Sequence, residues 1–140
     1  MEKRTLIIAP DGTEMVFDGA LPTYGQQKET VGGWIEIVRV LRQDITDSNV
    51  YTLMIVNDEG RISGLPRNQK ATDLYLANVR RQYPDAENPS VAANNAFMAR
   101  CKERGVPVIN LNAPAVDPNI CGTVIYFEGW TESELVEAGL

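Results

Sequence analysis

Basic and amide side chains cluster in residues 61–70, where the sequence reads RISGLPRNQK. Asn68 is a good N-cap, so a helix is predicted to begin directly after it. A helix start presents free N–H groups and partial positive charge, which together attract anions. Nearby basic side chains would add charge-assisted hydrogen bonds to a phosphate or carboxylate. The pattern predicts an anion site made of Arg61, Arg67, Asn68 and Lys70, although a capped helix start with solvated basic residues has the same pattern.

A second candidate is Trp34, which follows Gly32 and Gly33. An exposed indole beside two glycines suits a stacking platform for a base. The alternative interpretation is a core or interface tryptophan that follows a helix end. On the first interpretation, Trp34 joins the ligand-binding residues.

Several chemistries are excluded by composition. The chain has no histidine, which removes histidine-based triads and histidine metal ligands. Cys101 and Cys121 have no metal-binding spacing and indicate reduced thiols in a cytosolic protein. No phosphate-binding loop, GxSxG motif or nucleophile with an evident base is present. The sequence therefore predicts no catalytic residue, metal or cofactor, and a non-enzymatic protein.

The elements that must position these residues follow from apolar periodicity and turn residues. The predicted order is β-β-α-β-β-α-α-(β)-β-α, in which the bracketed strand is the weakest. Gly60 lies in a turn where it is available for positive φ. Strands are predicted at 5–10, 14–17, 34–41, 50–58, 106–111 and 122–129, and helices within 21–33, 64–84, 87–105 and 131–139.

This order predicts an α+β fold, a mostly antiparallel sheet with helices packed on one face. The segment 50–58 is apolar on both faces, as in a covered central strand. Residues 1–140 are expected to form a single domain, with an inserted helical segment around 84–118.

The overall composition limits the kinds of partner that the chain is expected to bind. The 140 residues are 44% hydrophobic and 23% charged, with a formal net charge of −6. An acidic chain is not expected to bind nucleic acid in general, because such proteins present basic patches. No segment approaches the roughly 20 apolar residues of a membrane span, so a cytoplasmic protein is expected.

Three stretches, VGGWIEIVRV, IVNDEGRISGLPRNQKAT and ICGTVIYFEG, carry a family resemblance. The chain resembles the small phage and mobile-element proteins catalogued as domain of unknown function 3846. The segment from about 83 to 118 is longer than the usual connection in that family. The matching residues are Val31, Gly32, Gly33, Trp34, Ile35, Glu36, Val56, Asn57, Gly60, Gly64, Leu65, Asn68, Ala71, Gly122, Val124 and Gly129.

The resemblance implies a phage or mobile-element accessory protein in a bacterial host and no established activity. With the residue patterns, it predicts a counter-defence protein that sequesters a small anionic ligand, such as a nucleotide signal, without turnover. Arg67→Glu is then expected to abolish binding. A homodimer is compatible with this function, and a nucleotide hydrolase or transferase has the least support.

The alternative is a protein–protein inhibitor or adaptor that binds a host enzyme through an acidic surface. Strong salt dependence of partner capture would favour it. The acidic residues in question are Asp44, Asp47, Asp58, Glu59, Glu132, Glu134 and Glu137.

Overall fold

The computed structural model describes residues 3–18, 21–41, 51–60, 62–82, 99, 102–105 and 119–140. They contain one five-stranded sheet with the order β2-β1-β5-β4-β3, in which every neighbouring pair is antiparallel. The strands are β1 (Arg4–Ile8), β2 (Glu14–Val16), β3 (Ile35–Leu41), β4 (Tyr51–Asn57) and β5 (Val124–Glu128). The helices named below are α1 (Tyr24–Val31), α2 (Gln69–Gln82) and α3 (Glu132–Glu137).

The predicted α+β class with an antiparallel sheet is confirmed. The long helix α2 covers one face, where Ala71 and Leu74 pack against Met54 of β4. On the opposite face, Val31 of α1 and Leu135 of α3 pack with Ile55. The two short helices therefore add a second covered face to the single one expected.

The apolar core follows the alternation of side chains along the two central strands. Met54 and Val124 are 0% exposed and point to the α2 face. Ile55 and Phe127 are also 0% exposed and point to the face of α1 and α3. Because β4 and β5 are apolar on both faces, both faces need a helical cover, as the sequence of 50–58 predicted for β4.

Local capping residues set the helix boundaries. Thr23 and Gln26 form a reciprocal capping box at the start of α1, and Gly32 ends that helix with φ 81°. Thr131 and Glu134 form the same motif at the start of α3. Both helices lie inside the predicted segments 21–33 and 131–139, and each boundary depends on neighbouring residues only.

One glycine prediction is wrong, and some predicted elements cannot be compared. Gly60 does not have a positive φ. A glycine is required there because a Cβ would lie 2.6 Å from the carbonyl oxygen of Cys121. The predicted helix in 87–105, the strand at 106–111 and the insertion at 84–118 lie outside the described residues, apart from 99 and 102–105.

The Glu134 carboxylate makes the stability of this fold depend on pH. A hydrogen bond from the Lys3 ammonium and one from the Thr131 backbone N–H lower its pKa from 4.5 to about 2. A carboxyl group with a lowered folded-state pKa stabilises the fold above its unfolded pKa. We therefore expect this contribution to be complete above pH 4.5 and to disappear as the pH falls toward 2.

Urea unfolding of the wild type and Glu134→Gln across this range measures that contribution. Glutamine keeps the capping geometry and removes only the charge. The difference in unfolding free energy should shrink between pH 4.5 and 2, and a constant difference would contradict the assignment. Glu137→Gln, which changes an exposed carboxylate on the same helix, is the matched control.

Candidate functional site

Asn68 occupies the predicted cap of α2 but has no surface for a ligand. Its Oδ1 accepts a hydrogen bond from Ala71 N at 3.0 Å, which confirms the N-cap. Its Nδ2 donates to the carbonyl oxygens of Ile8 and Gly122, each at 3.0 Å. The residue is 0% exposed. The assignment of Asn68 as a ligand-binding residue is therefore corrected to a structural one.

The start of α2 is attached to the segment before β5. Gly122 N donates to Pro66 O at 2.8 Å, and Asn68 N donates to Ile120 O at 2.7 Å. Arg67 and Cys121 form an isolated antiparallel bridge between these hydrogen bonds. This short pairing fixes the backbone of the predicted anion site against the centre of the sheet.

The basic residues of the predicted anion site have different environments. Arg67 is exposed and accessible to a ligand. Lys70 forms an ion pair with Glu14 of β2, and the two side chains remain 49% and 38% exposed. An anion at Lys70 must compete with that carboxylate. Arg61 lies outside the described residues.

Trp34 is 60% exposed and carries a cation on its ring. The Lys28 ammonium lies 3.9 Å from the centroid of the Trp34 ring, within the range of a cation–π interaction. The same ammonium lies 5.8 Å from the Tyr24 ring, which is 55% exposed. We call Tyr24, Lys28 and Trp34 the aromatic–lysine patch. Sequence reasoning missed two of its members, although the i, i+4 spacing of Tyr24 and Lys28 was a usable signal.

The end of α1 holds this patch in place. Gly32 N and Gly33 N both donate to Lys28 O, at 2.9 and 3.1 Å. The buried Asn57 side chain donates to Val31 O at 3.0 Å. A Cβ on Gly33 would lie 3.0 Å from Asn57 Nδ2, so the chain packs closely here. Trp34 therefore leaves the helix in a direction that the backbone determines.

The structure does not bring Trp34 to Lys70. Lys70 contacts Glu14 on β2, at one end of the strand order, whereas Trp34 directly precedes β3 at the other end. Neighbouring strands lie about 4.8 Å apart, so four strand spacings separate the two edges by roughly 19 Å. The predicted residues therefore form two separate places rather than one pocket.

The acidic surface of the alternative prediction is partly neutralised. Glu132 accepts from Arg39 Nη2 at 3.0 Å, and Glu134 pairs with Lys3. Glu59 and Glu137 are exposed. Asp44 and Asp47 lie outside the described residues.

Comparisons with known proteins add no assignment. No family model matches the chain, and neither a curated protein nor a solved structure matches it. Among the described helices, none has the length and apolar character needed to cross a membrane. Within the same residues, no group of three or more acidic or cysteine side chains is arranged to hold a metal ion.

Proposed function

We propose that this chain is a phage or mobile-element accessory protein that sequesters a small anionic ligand with a planar ring, such as a nucleotide signal. The observation that carries this proposal is the Lys28 ammonium 3.9 Å from the ring centroid of the exposed Trp34. A base stacks on the face of Trp34 opposite Lys28, and its phosphate lies within reach of the ammonium. Base–aromatic stacking contributes about 1–3 kcal/mol and tolerates any base.

The aromatic–lysine patch supports this proposal better than the start of α2 does. The patch offers a ring and a cation together, whereas the start of α2 offers the exposed Arg67 and a Lys70 already paired with Glu14. In this proposal Arg67 and Lys70 provide a separate, weaker place for an anion. The counter-defence role rests on the resemblance to phage proteins and gives the biological setting.

The first test is native mass spectrometry of the protein purified from infected cells. A stoichiometric small molecule that leaves unchanged on denaturation supports sequestration. A chemically altered product indicates turnover instead. A protein with no bound molecule, even after incubation with linear and cyclic adenine and guanine nucleotides, argues against the proposal.

Substitution then locates the binding site. We expect Trp34→Ala to weaken nucleotide binding by about 5- to 150-fold, the equivalent of one lost stacking contact. Lys28→Gln should weaken binding less and should reduce its salt dependence. Isothermal titration at two salt concentrations measures both effects.

Two matched variants serve as controls for this experiment. Val136→Ala removes a side chain that is 59% exposed on α3, and Lys102→Gln removes an exposed lysine elsewhere, so neither should alter affinity. If Arg67→Glu abolishes binding while Trp34→Ala does not, the start of α2 is the site. Glu14→Gln, which releases Lys70, should then strengthen binding.

A further inference from the structure

The sheet has two edges of unequal length. Strand β2 has 3 residues and strand β3 has 7, and each lies at one end of the strand order. Long edge strands offer unpaired backbone groups to another chain, and natural proteins usually shorten, charge or cover them. Strand β3 is therefore the edge of this sheet at which a further strand would pair.

The hydrogen-bond register identifies which groups of β3 point outward. Asp58 N donates to Trp34 O at 2.8 Å, and Ile35 lies opposite Asn57. Antiparallel pairs alternate, so Glu36, Val38 and Val40 direct their backbone groups toward β4. The N–H and C=O groups of Ile35, Ile37 and Arg39 point away from the sheet.

Among the described residues, one of these outward groups has a hydrogen-bond partner. Arg39 O accepts from Asn78 Nδ2 of α2 at 2.9 Å. In the part of the chain that the structure describes, no hydrogen bond is assigned to the outward groups of Ile35 and Ile37. Ile37 is 47% exposed, so the centre of this edge presents an apolar side chain beside backbone groups that no other described residue contacts through a hydrogen bond.

We propose that β3 pairs with β3 of a second copy of this chain, antiparallel and centred on Ile37. Ile37 exchanges both of its outward hydrogen bonds with Ile37 of the second copy. Arg39 N–H donates to Ile35 O across the two-fold axis, which leaves the Asn78 contact in place. The interface is isologous, because the same surface is used on both copies.

The charged side chains near the two ends of β3 suit this arrangement. Lys28 lies near the start of β3, and Glu132 contacts Arg39 toward its end on the same face of the sheet. An antiparallel two-fold brings opposite ends of β3 together, so Lys28 of one copy approaches the Glu132 carboxylate of the other, which Lys28 then shares with Arg39 of that copy. The two apolar Ile37 side chains meet on that same face. This inference does not depend on the proposed ligand.

Sedimentation equilibrium over a range of protein concentrations tests the proposal. The wild type should dimerise, and Ile37→Pro should raise the dimer dissociation constant by about 30-fold or more, because both copies lose an intermolecular bond. Proline suits this position, since the Ile37 N–H donates nothing to β4. Far-UV circular dichroism establishes that the variant is folded.

A second proline provides the matched control. Phe17 N donates to Thr5 O, and Val16 lies opposite Leu6, so the Val16 N–H points outward from the β2 edge. Val16→Pro should leave dimerisation unchanged. If Ile37→Pro does not fold, Ile37→Lys keeps the N–H and places two charges together at the axis. A wild type that stays monomeric at the highest concentration, or a dimer that none of the Ile37 variants weakens, overturns the proposal.

Discussion

Replacing Asn68 by alanine should destabilise the protein by about 3 kcal/mol or more. The substitution removes the cap on Ala71 N, which contributes about 1 kcal/mol. It also removes the Asn68 donor from the buried carbonyl oxygens of Ile8 and Gly122. Each buried group that is left unsatisfied costs about 1–3 kcal/mol. Since domains of this size are stable by only about 5–15 kcal/mol, the loss should be plain in urea unfolding.

A second variant at Asn68 and a control at Gln69 separate the contributions of these contacts to stability. Asn68→Asp keeps the acceptor for Ala71 N, but it places a buried carboxylate against the carbonyl oxygens of Ile8 and Gly122, so it should be at least as unstable as Asn68→Ala. Gln69→Ala alters an exposed side chain and should change the unfolding free energy by less than about 0.5 kcal/mol. A loss below about 1 kcal/mol for Asn68→Ala would show that the two buried carbonyl contacts contribute little.

Replacing Gly60 by alanine should also destabilise the protein, by about 1–3 kcal/mol and for a different reason. The added methyl group would lie 2.6 Å from the carbonyl oxygen of Cys121, closer than any ordinary contact. That carbonyl belongs to the short pairing between residues 66–68 and 120–122, so it cannot move without breaking backbone hydrogen bonds. Overpacking of this kind costs about 1–3 kcal/mol.

Alanine variants of two other glycines provide a comparison for this effect. Gly64 has φ 71° and open space around its Cα, so Gly64→Ala should cost about 1–2 kcal/mol for the backbone conformation alone. Gly25 lies on the exposed surface of α1, where alanine should add up to about 1 kcal/mol of stability. Differential scanning calorimetry of the three variants measures the order. A Gly60→Ala protein as stable as the wild type would mean that the paired segment adjusts freely.

The sequence predicts best those features that depend on adjacent residues. Asn68 begins a helix as expected, and Thr23 and Thr131 begin helices inside the predicted segments, because an N-cap binds N–H groups two or three positions along the chain. The central position of β4 follows from its apolar residues on both faces. The pairing of β1 with β5 could not be predicted from neighbouring residues, because the paired residues Arg4 and Glu128 are far apart in sequence.

The candidate site was harder to predict for the same reason. The residue type of Asn68 indicated a cap, whereas its burial depends on Ile8 and Gly122, which are distant in sequence. The charge on Lys70 was evident, but its pairing with Glu14 requires the sheet order. Trp34 was selected for its ring, and its cation comes from α1 across the turn at Gly32. The tertiary arrangement thus divided one predicted site into two places.

The position of β5 in the strand order has a consequence for biosynthesis. The hairpins β1–β2 and β3–β4 are each local, and β5 is the strand that joins them. The ribosome makes β5 after both hairpins, so neither hairpin can complete its apolar faces until residues 124–128 have left the exit tunnel. Folding of this sheet is therefore expected to follow translation of that segment, and a stalled chain ending before residue 119 should remain sensitive to protease.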